Sequence, residues 1–292
     1  MNKKSDHSRV YNYLKLGKYS VIIPVSLTAF TGFFLFKPGI DLNIILVTLG
    51  VFLQGMAASS LNQVQERMID AKMSRTMDRP IPTGRISKLH ATLFAIFSFI
   101  SGSVLLYLGG NPLAVLLGIF TIVWYNGIYT PLKKVSAFAV IPGSVTGAIP
   151  PVIGWTAAGG NPLDLTAIIL AFLFFMGQVP HFWLLILKYG EQYKQAGLPS
   201  LTDVFSTRQI NNLSFTWISA SLIGALMLGL FGILQKETFR IILTVITTIA
   251  IFLFRKLINK EQSIGTKKYF LELNIYYFLL IILLIGDKIA SL

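Results

Sequence analysis

The 292-residue chain is too apolar for a water-soluble fold, because 54% of its residues are hydrophobic, only 13% are charged and the mean hydropathy is +0.68. A net charge of +13 alone would suggest nucleic acid as a partner, but the basic residues lie at the ends of apolar stretches, which excludes that class. The chain has no cysteine, which excludes disulfides and thiolate metal sites. These features predict a polytopic membrane protein.

In chain order, the first element is a polar, basic arm, residues 1–18, which lacks the apolar core and cleavage site of a signal peptide. We expect it to be cytoplasmic and to precede one membrane domain, residues 19–292. Nine apolar stretches follow, most near the 20 residues that cross about 30 Å of hydrocarbon as a helix. They lie at 19–36, 42–61, 90–109, 113–130, 137–157, 164–187, 213–234, 239–254 and 270–287. The predicted fold is all-α, with nine transmembrane helices in one bundle around a central cavity.

The 25 lysine and arginine residues predict the orientation of this bundle. With the amino terminus inside, 21 of them fall in inner segments and four in outer segments. This asymmetry is typical of the positive-inside rule. It predicts that the two larger loops, 62–89 and 188–212, face the cytoplasm. The four outer residues are Lys37, Lys236, Arg240 and Lys288.

Three oxygen-bearing side chains recur at a spacing of four where the second apolar stretch ends. These residues, here called the ladder, are Asn62, Glu66 and Asp70. Four residues advance a helix by about 400° and about 6 Å, so the three side chains share one face. Carboxylate and amide oxygens suit Mg²⁺, which keeps several waters and is commonly shared with phosphate oxygens. The ladder therefore predicts a magnesium site at the membrane surface.

Basic side chains crowd the same region. An isolated arginine beside a membrane helix is usually a topology anchor, but clustering beside the ladder favours a shared anion site. Arginine binds phosphate in a bidentate manner and lysine binds it as a point charge. The combination of cation and anion sites predicts a diphosphate ester as the ligand. The candidates are Arg67, Arg75 and Arg79, together with Lys133 or Lys134 from a later basic segment; Lys72 is also consistent with a solvated side chain.

The second large loop carries an acid of its own, Glu191. The two loops follow the second and the sixth apolar stretches, a regular spacing that suggests an internal repeat. In such a repeat Glu191 would face the ladder across the central cavity and complete a second metal site. A solvated loop carboxylate is the alternative interpretation.

The fifth apolar stretch combines several prolines with glycines, including Pro142, Pro150, Pro151 and Gly154. Such residues allow helices to approach closely and to kink. Packing alone would account for them. Because prolines at membrane depth are tolerated where a helix lines a cavity or is buried in protein, a substrate chamber is the interpretation that we favour.

Three segments resemble the UbiA-type intramembrane prenyltransferases, and in particular the branch that farnesylates heme. They read NQVQERMIDAKMSRTMDRPIPTG at 62–84, YTPLKKVSAFAVIPGSVTGAIPPVIGW at 129–155 and QVPHFWLLILKYGEQYKQAGLPS at 178–200. The resemblance is dense from 54 to 200 and weak outside that range. The branch more often has Asp at the position of Glu66 and Met-Leu-Pro at 200–202, and the second difference bears on the identity of the acceptor.

The resemblance implies an enzyme that transfers the farnesyl group of farnesyl diphosphate to a vinyl group of heme B, with addition of water, to give heme O and diphosphate. Mg²⁺ would stabilise the charge of the departing diphosphate, and tyrosine rings would stabilise the allylic cation. The metal ligands would be Asn62, Glu66, Asp70 and Glu191, and the tyrosines would be Tyr129 and Tyr193, with Tyr125 as a further contributor. His181 is either an axial heme ligand or an interhelical hydrogen-bonding group.

Two alternatives stay open at this point. The same scaffold could prenylate a quinone precursor or another aromatic acceptor. A protein without catalytic activity could instead use the basic loop to bind heme or lipid anions in the bilayer. The resemblance also implies a bacterial inner membrane, with a heme A synthase or terminal oxidase as a further partner.

Overall fold

The computed structural model describes residues 8–258 and 266–292, and their regular structure is helical. Residues 1–7 of the predicted arm and part of the basic segment before the last helix lie outside the described residues. In chain order the helices are α1 (Arg9–Leu16), α2 (Tyr19–Phe36), α3 (Leu42–Asp70), α4 (Lys88–Gly109), α5 (Pro112–Leu132), α6 (Val140–Gly143), α7 (Val145–Ala157), α8 (Leu165–Gln195), α9 (Thr207–Leu230), α10 (Glu237–Leu257) and α11 (Thr266–Ala290).

Within the described residues, eight helices are long and apolar enough to cross a membrane, namely α2 to α5 and α8 to α11. The all-α membrane fold is confirmed, and the count of long helices differs from the prediction by one. The predicted fifth span, 137–157, forms the two short helices α6 and α7. The break falls at Ser144, two residues after Pro142, whereas Pro150 and Pro151 lie inside α7.

Although short, α6 and α7 carry the chain from one end of the bundle to the other. At the start of this stretch, Gly143 lies against the ring of Tyr129, near the end of α5. At its far end, the ring of Trp155 lies 5.0 Å from that of Phe36, the last residue of α2. The chain therefore crosses the bundle between α5 and α8, as the predicted alternation of basic segments requires.

Close packing against α2 explains the glycines of this stretch. A Cβ atom on Gly32 would lie 1.9 Å from the carbonyl oxygen of Pro151, and one on Gly154 would lie 1.8 Å from that of Ala29. Residues 148–157 are all buried. The packing interpretation therefore accounts for this segment, where the sequence had favoured a substrate chamber.

Two helices continue beyond their predicted ends. The apolar pattern stops near residues 61 and 187, yet α3 runs to Asp70 and α8 runs to Gln195. Hydropathy marks where the side chains become polar, whereas the backbone hydrogen bonds continue for two further turns. As a result, the ladder lies on a helix, as its spacing requires, and Glu191, which the sequence placed in the second loop, lies on α8. The connecting loops are correspondingly shorter, at 71–87 and 196–206.

The described part of the amino-terminal arm is ordered against the end of α3. The side-chain amide of Gln63 donates to the carbonyl oxygens of Lys15 and Leu16, at 3.2 and 2.7 Å. The ring of Tyr13 lies 5.0 Å from that of Phe94 on α4. Helix α1 therefore closes the bundle beside the ladder.

Replacing Gly32 with alanine should destabilise the bundle, because the new methyl group would overlap the Pro151 carbonyl in backbone that cannot move independently. Overpacking of this kind costs roughly 1–3 kcal/mol. We expect a lower Tm for Gly32→Ala in detergent. The matched control is Gly127→Ala, whose Cβ would meet only a side-chain atom at 4.0 Å. Equal Tm values for the two variants would contradict the packing account.

Candidate active site at the end of α3

The three ladder residues lie on the last turns of α3, on one buried face. Because the helix is continuous from Leu42 to Asp70, the spacing of four keeps the side chains in register. Their exposed fractions are 1% for Asn62, 5% for Glu66 and 3% for Asp70. Two carboxylates so deeply buried require partners, since an isolated buried charge is strongly unfavourable.

Each ladder residue is paired with a cation from a different part of the chain. Arg79, in the loop after α3, places one guanidinium nitrogen 2.7 Å from both carboxylate oxygens of Asp70. Lys133, just after α5, lies 2.6 Å from a carboxylate oxygen of Glu66. The third cation, Lys18 before α2, donates to the side-chain oxygen of Asn62 at 3.0 Å. The end of α3 is thus a junction of three segments held by charge.

Lys18 was not singled out from the sequence, where it looks like one of five basic residues in a topogenic arm. In the structure its side chain is enclosed beside the ladder. Burial, and then repulsion from Arg79, lower the pKa of Lys18 to about 7. Its backbone has a left-handed conformation, with φ of 53°, which is uncommon for a residue other than glycine. The signal available in the sequence was its position directly after Gly17 and before the first span.

The pKa of Lys133 is shifted in the opposite direction from that of Lys18. Burial by itself would lower its pKa, but the nearby Glu66 carboxylate outweighs that effect and raises the pKa of Lys133 above its ordinary value. Of the two lysines considered from the sequence, Lys133 is therefore the one that the structure brings to the ladder. Lys134 is exposed.

A π-helical turn in α5, Trp124–Tyr129, lines the side of the ladder. Such turns are rare and often occur at functional sites. Just beyond it, the hydroxyl of Thr130 accepts a 3.1 Å hydrogen bond from the amide of Asn62. The ring of Tyr129 lies 5.2 Å from the ammonium group of Lys133. The turn also contains Asn126, which donates to the carbonyl oxygen of Ala58 and so links α5 to α3.

The loop after α3 meets the end of α8 through Arg75. Its backbone N–H donates to the side-chain oxygen of Gln192 at 3.2 Å, and its guanidinium group donates to the hydroxyl of Tyr193 at 3.4 Å. Tyr193 in turn interacts electrostatically with Lys133. The two segments that the sequence marked as functional loops therefore lie at the same end of the bundle and touch.

Other predicted residues are placed away from the ladder contacts. Arg67 donates to the carbonyl oxygen of Val64 within its own helix. The ring of His181 packs 4.3 Å from that of Phe270 and hydrogen-bonds to Asn274, both on α11, which matches the interhelical interpretation. Glu191 is exposed, and it is two residues from Tyr193, about 200° around α8. Its role as a metal ligand stays a prediction.

The ladder has the chemistry of a magnesium site, although its oxygens face the cations of the chain itself. Across the described ranges, no group of three or more histidine, aspartate or glutamate side chains is already arranged around a metal position. The donor set of one amide and two carboxylates nevertheless fits a hard cation. Glu66 and Asp70 would hold it once Lys133 and Arg79 turned towards an incoming anion.

Residues 25–280 match the UbiA prenyltransferase family. The chain belongs to that family. It is 33% identical over 245 residues to a protoheme IX farnesyltransferase of Nitratidesulfovibrio vulgaris (strain DP4), covering 84% of this chain and 85% of the relative. The family membership identifies the chain as a prenyltransferase, and the sequence resemblance that predicted it is confirmed.

Solved structures agree on the fold. A digeranylgeranylglyceryl phosphate synthase structure superimposes with a TM-score of 0.78 at 18% identity, covering 96% of this chain and 99% of the other. A UbiA homologue of Archaeoglobus fulgidus bound to GPP and Mg²⁺ gives a TM-score of 0.70 at 16% identity, covering 96% and 98%. At these identities the comparison establishes a common architecture.

Lys133→Met should destabilise the protein, because Glu66 would keep its charge in a buried position without a partner. Breaking one side of such a pair costs roughly 3 kcal/mol or more. We expect a clear fall in Tm, and partial recovery when Glu66→Gln is added, since the second change removes the unpaired charge.

The matched control for this prediction is Lys134→Met, a change of the same size at the exposed neighbour. A fall in Tm that is equal for Lys133→Met and Lys134→Met would show that the ion pair with Glu66 is not the cause.

Proposed function

We propose that this prenyltransferase transfers the farnesyl group of farnesyl diphosphate to a vinyl group of protoheme IX, with addition of water, giving heme O and diphosphate. The observation that carries the proposal is the buried, cation-paired ladder in a chain that is 33% identical to a protoheme IX farnesyltransferase over most of both lengths. The ladder and its cations have the chemistry to bind a diphosphate. The acceptor, protoheme IX, is inferred from the name of the relative.

The first step breaks the bond between the allylic carbon and the diphosphate oxygen, and negative charge grows on the departing group. Arg79 and Lys133 are placed to take that charge, because they already lie at the ladder and need only exchange one anionic partner for another. Mg²⁺ bound by the ladder oxygens would add Lewis-acid stabilisation of the same leaving group. A UbiA homologue solved with GPP and Mg²⁺ supports a metal-dependent transfer.

The second step joins the farnesyl carbocation to the terminal carbon of the vinyl group. The electron pair of the vinyl double bond forms the new carbon–carbon bond, and the positive charge moves to the vinyl carbon next to the porphyrin. Water adds there and loses a proton, which leaves a hydroxyl group. The rings of Tyr129 and Phe182, with centroids 6.3 Å apart, provide aromatic surface beside Lys133 for the cationic stage.

The active site faces the cytoplasm in this proposal, in a bacterial inner membrane. The support is the distribution of charge, with 21 of the 25 basic residues in segments on the ladder side of the predicted topology. Farnesyl diphosphate would then place its charged head at the inner interface and its hydrocarbon chain among the helices.

Asp70→Ala should abolish heme O formation, because Arg79 loses its partner and the ladder loses a carboxylate. The measurement is the mass of heme extracted from a host without a farnesylating enzyme of its own, after expression of each variant. Asp78→Ala is the matched control, since that carboxylate is exposed in the loop after α3. Undiminished heme O from Asp70→Ala, at equal protein level, would refute the proposed role.

Removing divalent metal should stop diphosphate release by the purified protein, and adding Mg²⁺ should restore it, because the leaving group would carry more uncompensated charge without the metal. Release is followed with radiolabelled farnesyl diphosphate and heme B. Release at full rate in the presence of a chelator would contradict the role of the metal. Arg79 and Lys133 alone would then stabilise the leaving diphosphate.

The acceptor is tested in the same assay by exchanging heme B for an aromatic quinone precursor. We expect heme B to be farnesylated and the quinone precursor to stay unchanged. The reverse result would be consistent with a prenyltransferase but would contradict the assignment of heme as its acceptor.

A further inference from the structure

Two cations near the ladder, Arg75 and Lys188, lie against aromatic rings and not against carboxylates. The guanidinium carbon of Arg75 lies 5.1 Å from the ring centre of Tyr189, and the ammonium nitrogen of Lys188 lies 4.8 Å from the same ring. Within residues 8–258 and 266–292, the ion pairs involve neither of them. Both positive charges therefore lie close to the ring of one tyrosine.

This cluster of Arg75, Lys188 and Tyr189 is accessible and is fixed in position. The side chains of Arg75 and Lys188 are exposed, so a ligand can reach them from the interface. The backbone of Arg75 is anchored on α8 by Gln192. The next residue, Thr76, donates from its hydroxyl to the backbone carbonyl of Asp70 at 2.9 Å, which couples the cluster to the last turn of the ladder helix.

We propose that Arg75 and Lys188 bind the propionate carboxylates of the porphyrin acceptor, with Tyr189 between them as a flat support. The inference rests on the proposed function and deepens it. Both substrates of that reaction are anions. Arg79 and Lys133 at the ladder serve the diphosphate in the proposed reaction, so Arg75, which the sequence had offered as a further diphosphate ligand, is assigned here to the other substrate. A second pair of cations beside them fits the two carboxylates of the other substrate.

The chemistry of the porphyrin gives this placement a consequence for the reaction. Its two propionates project from one edge of the macrocycle, and its two vinyl groups project from the opposite edge. When the carboxylates are held at the exposed rim by Arg75 and Lys188, the vinyl groups point into the bundle. That is where the allylic carbon lies if the diphosphate is held by the ladder. Propionate binding would therefore orient the acceptor as well as hold it.

A purely structural role is the competing explanation, in which Arg75 only fastens the loop to α8. The two roles differ in what a neutral substitution does. If Arg75 only fastens the loop, its substitution weakens the binding of both substrates and lowers Tm. If Arg75 binds a propionate, its substitution weakens the binding of only those porphyrins that carry free carboxylates.

The experiment measures binding of iron protoporphyrin IX and of its dimethyl ester to the full-length protein in nanodiscs by absorbance titration, together with the KM for farnesyl diphosphate. We expect wild type to bind the diacid at least tenfold more tightly than the diester. Arg75→Gln and Lys188→Gln should each weaken diacid binding about tenfold, and should leave the diester affinity and the KM for farnesyl diphosphate unchanged.

Two further variants serve as controls. Arg75→Lys keeps the charge and should recover much of the diacid affinity. Lys194→Gln removes an exposed lysine from the same helix and should bind the diacid like wild type.

The outcomes separate this inference from the proposed function. Wild type that makes no heme O from heme B refutes the proposed function itself. Wild type that makes heme O but binds diacid and diester equally refutes propionate recognition, even if a variant fails to fold. A higher KM for farnesyl diphosphate in Arg75→Gln, with the diacid affinity unchanged, would assign that cation to the diphosphate and would also overturn the inference.

Discussion

The structure depends on the need to neutralise two carboxylates that are buried at the end of one helix. Glu66 and Asp70 can be charged there only because Lys133 and Arg79 reach them from the segments that follow α5 and α3. These contacts fix the ends of the helices relative to one another. They also leave the site with anions and cations that, in the proposed reaction, exchange partners when a metal and a diphosphate bind together.

In the proposed reaction, one group of residues serves both stability and catalysis. Before substrate binds, each cation satisfies a ladder residue. Once an anionic leaving group is present, the same cations are already within reach of it, so little reorganisation is required. In that reaction, the π-helical turn that carries Tyr129 would bring aromatic surface to the place where positive charge develops.

The sequence predicted the membrane class, most helix positions and the one-face geometry of the ladder, because hydropathy and the period of 3.6 residues act locally. It could not predict which cation pairs with which acid. Lys18 lies 44 residues before Asn62, and its side chain meets that residue only through tertiary packing. The interruption between α6 and α7 was also hidden, since a proline-rich stretch reads as apolar whether it forms one helix or two.

The central claim is that ladder oxygens exchange the cations of the chain for a metal that holds the diphosphate. It is tested most directly by solving the structure with Mn²⁺ and an unreactive analogue of farnesyl diphosphate. The account predicts anomalous signal within about 2 Å of oxygens of Glu66 and Asp70, with Lys133 and Arg79 moved onto the diphosphate. Metal bound elsewhere, with Lys133 still 2.6 Å from Glu66, would contradict it.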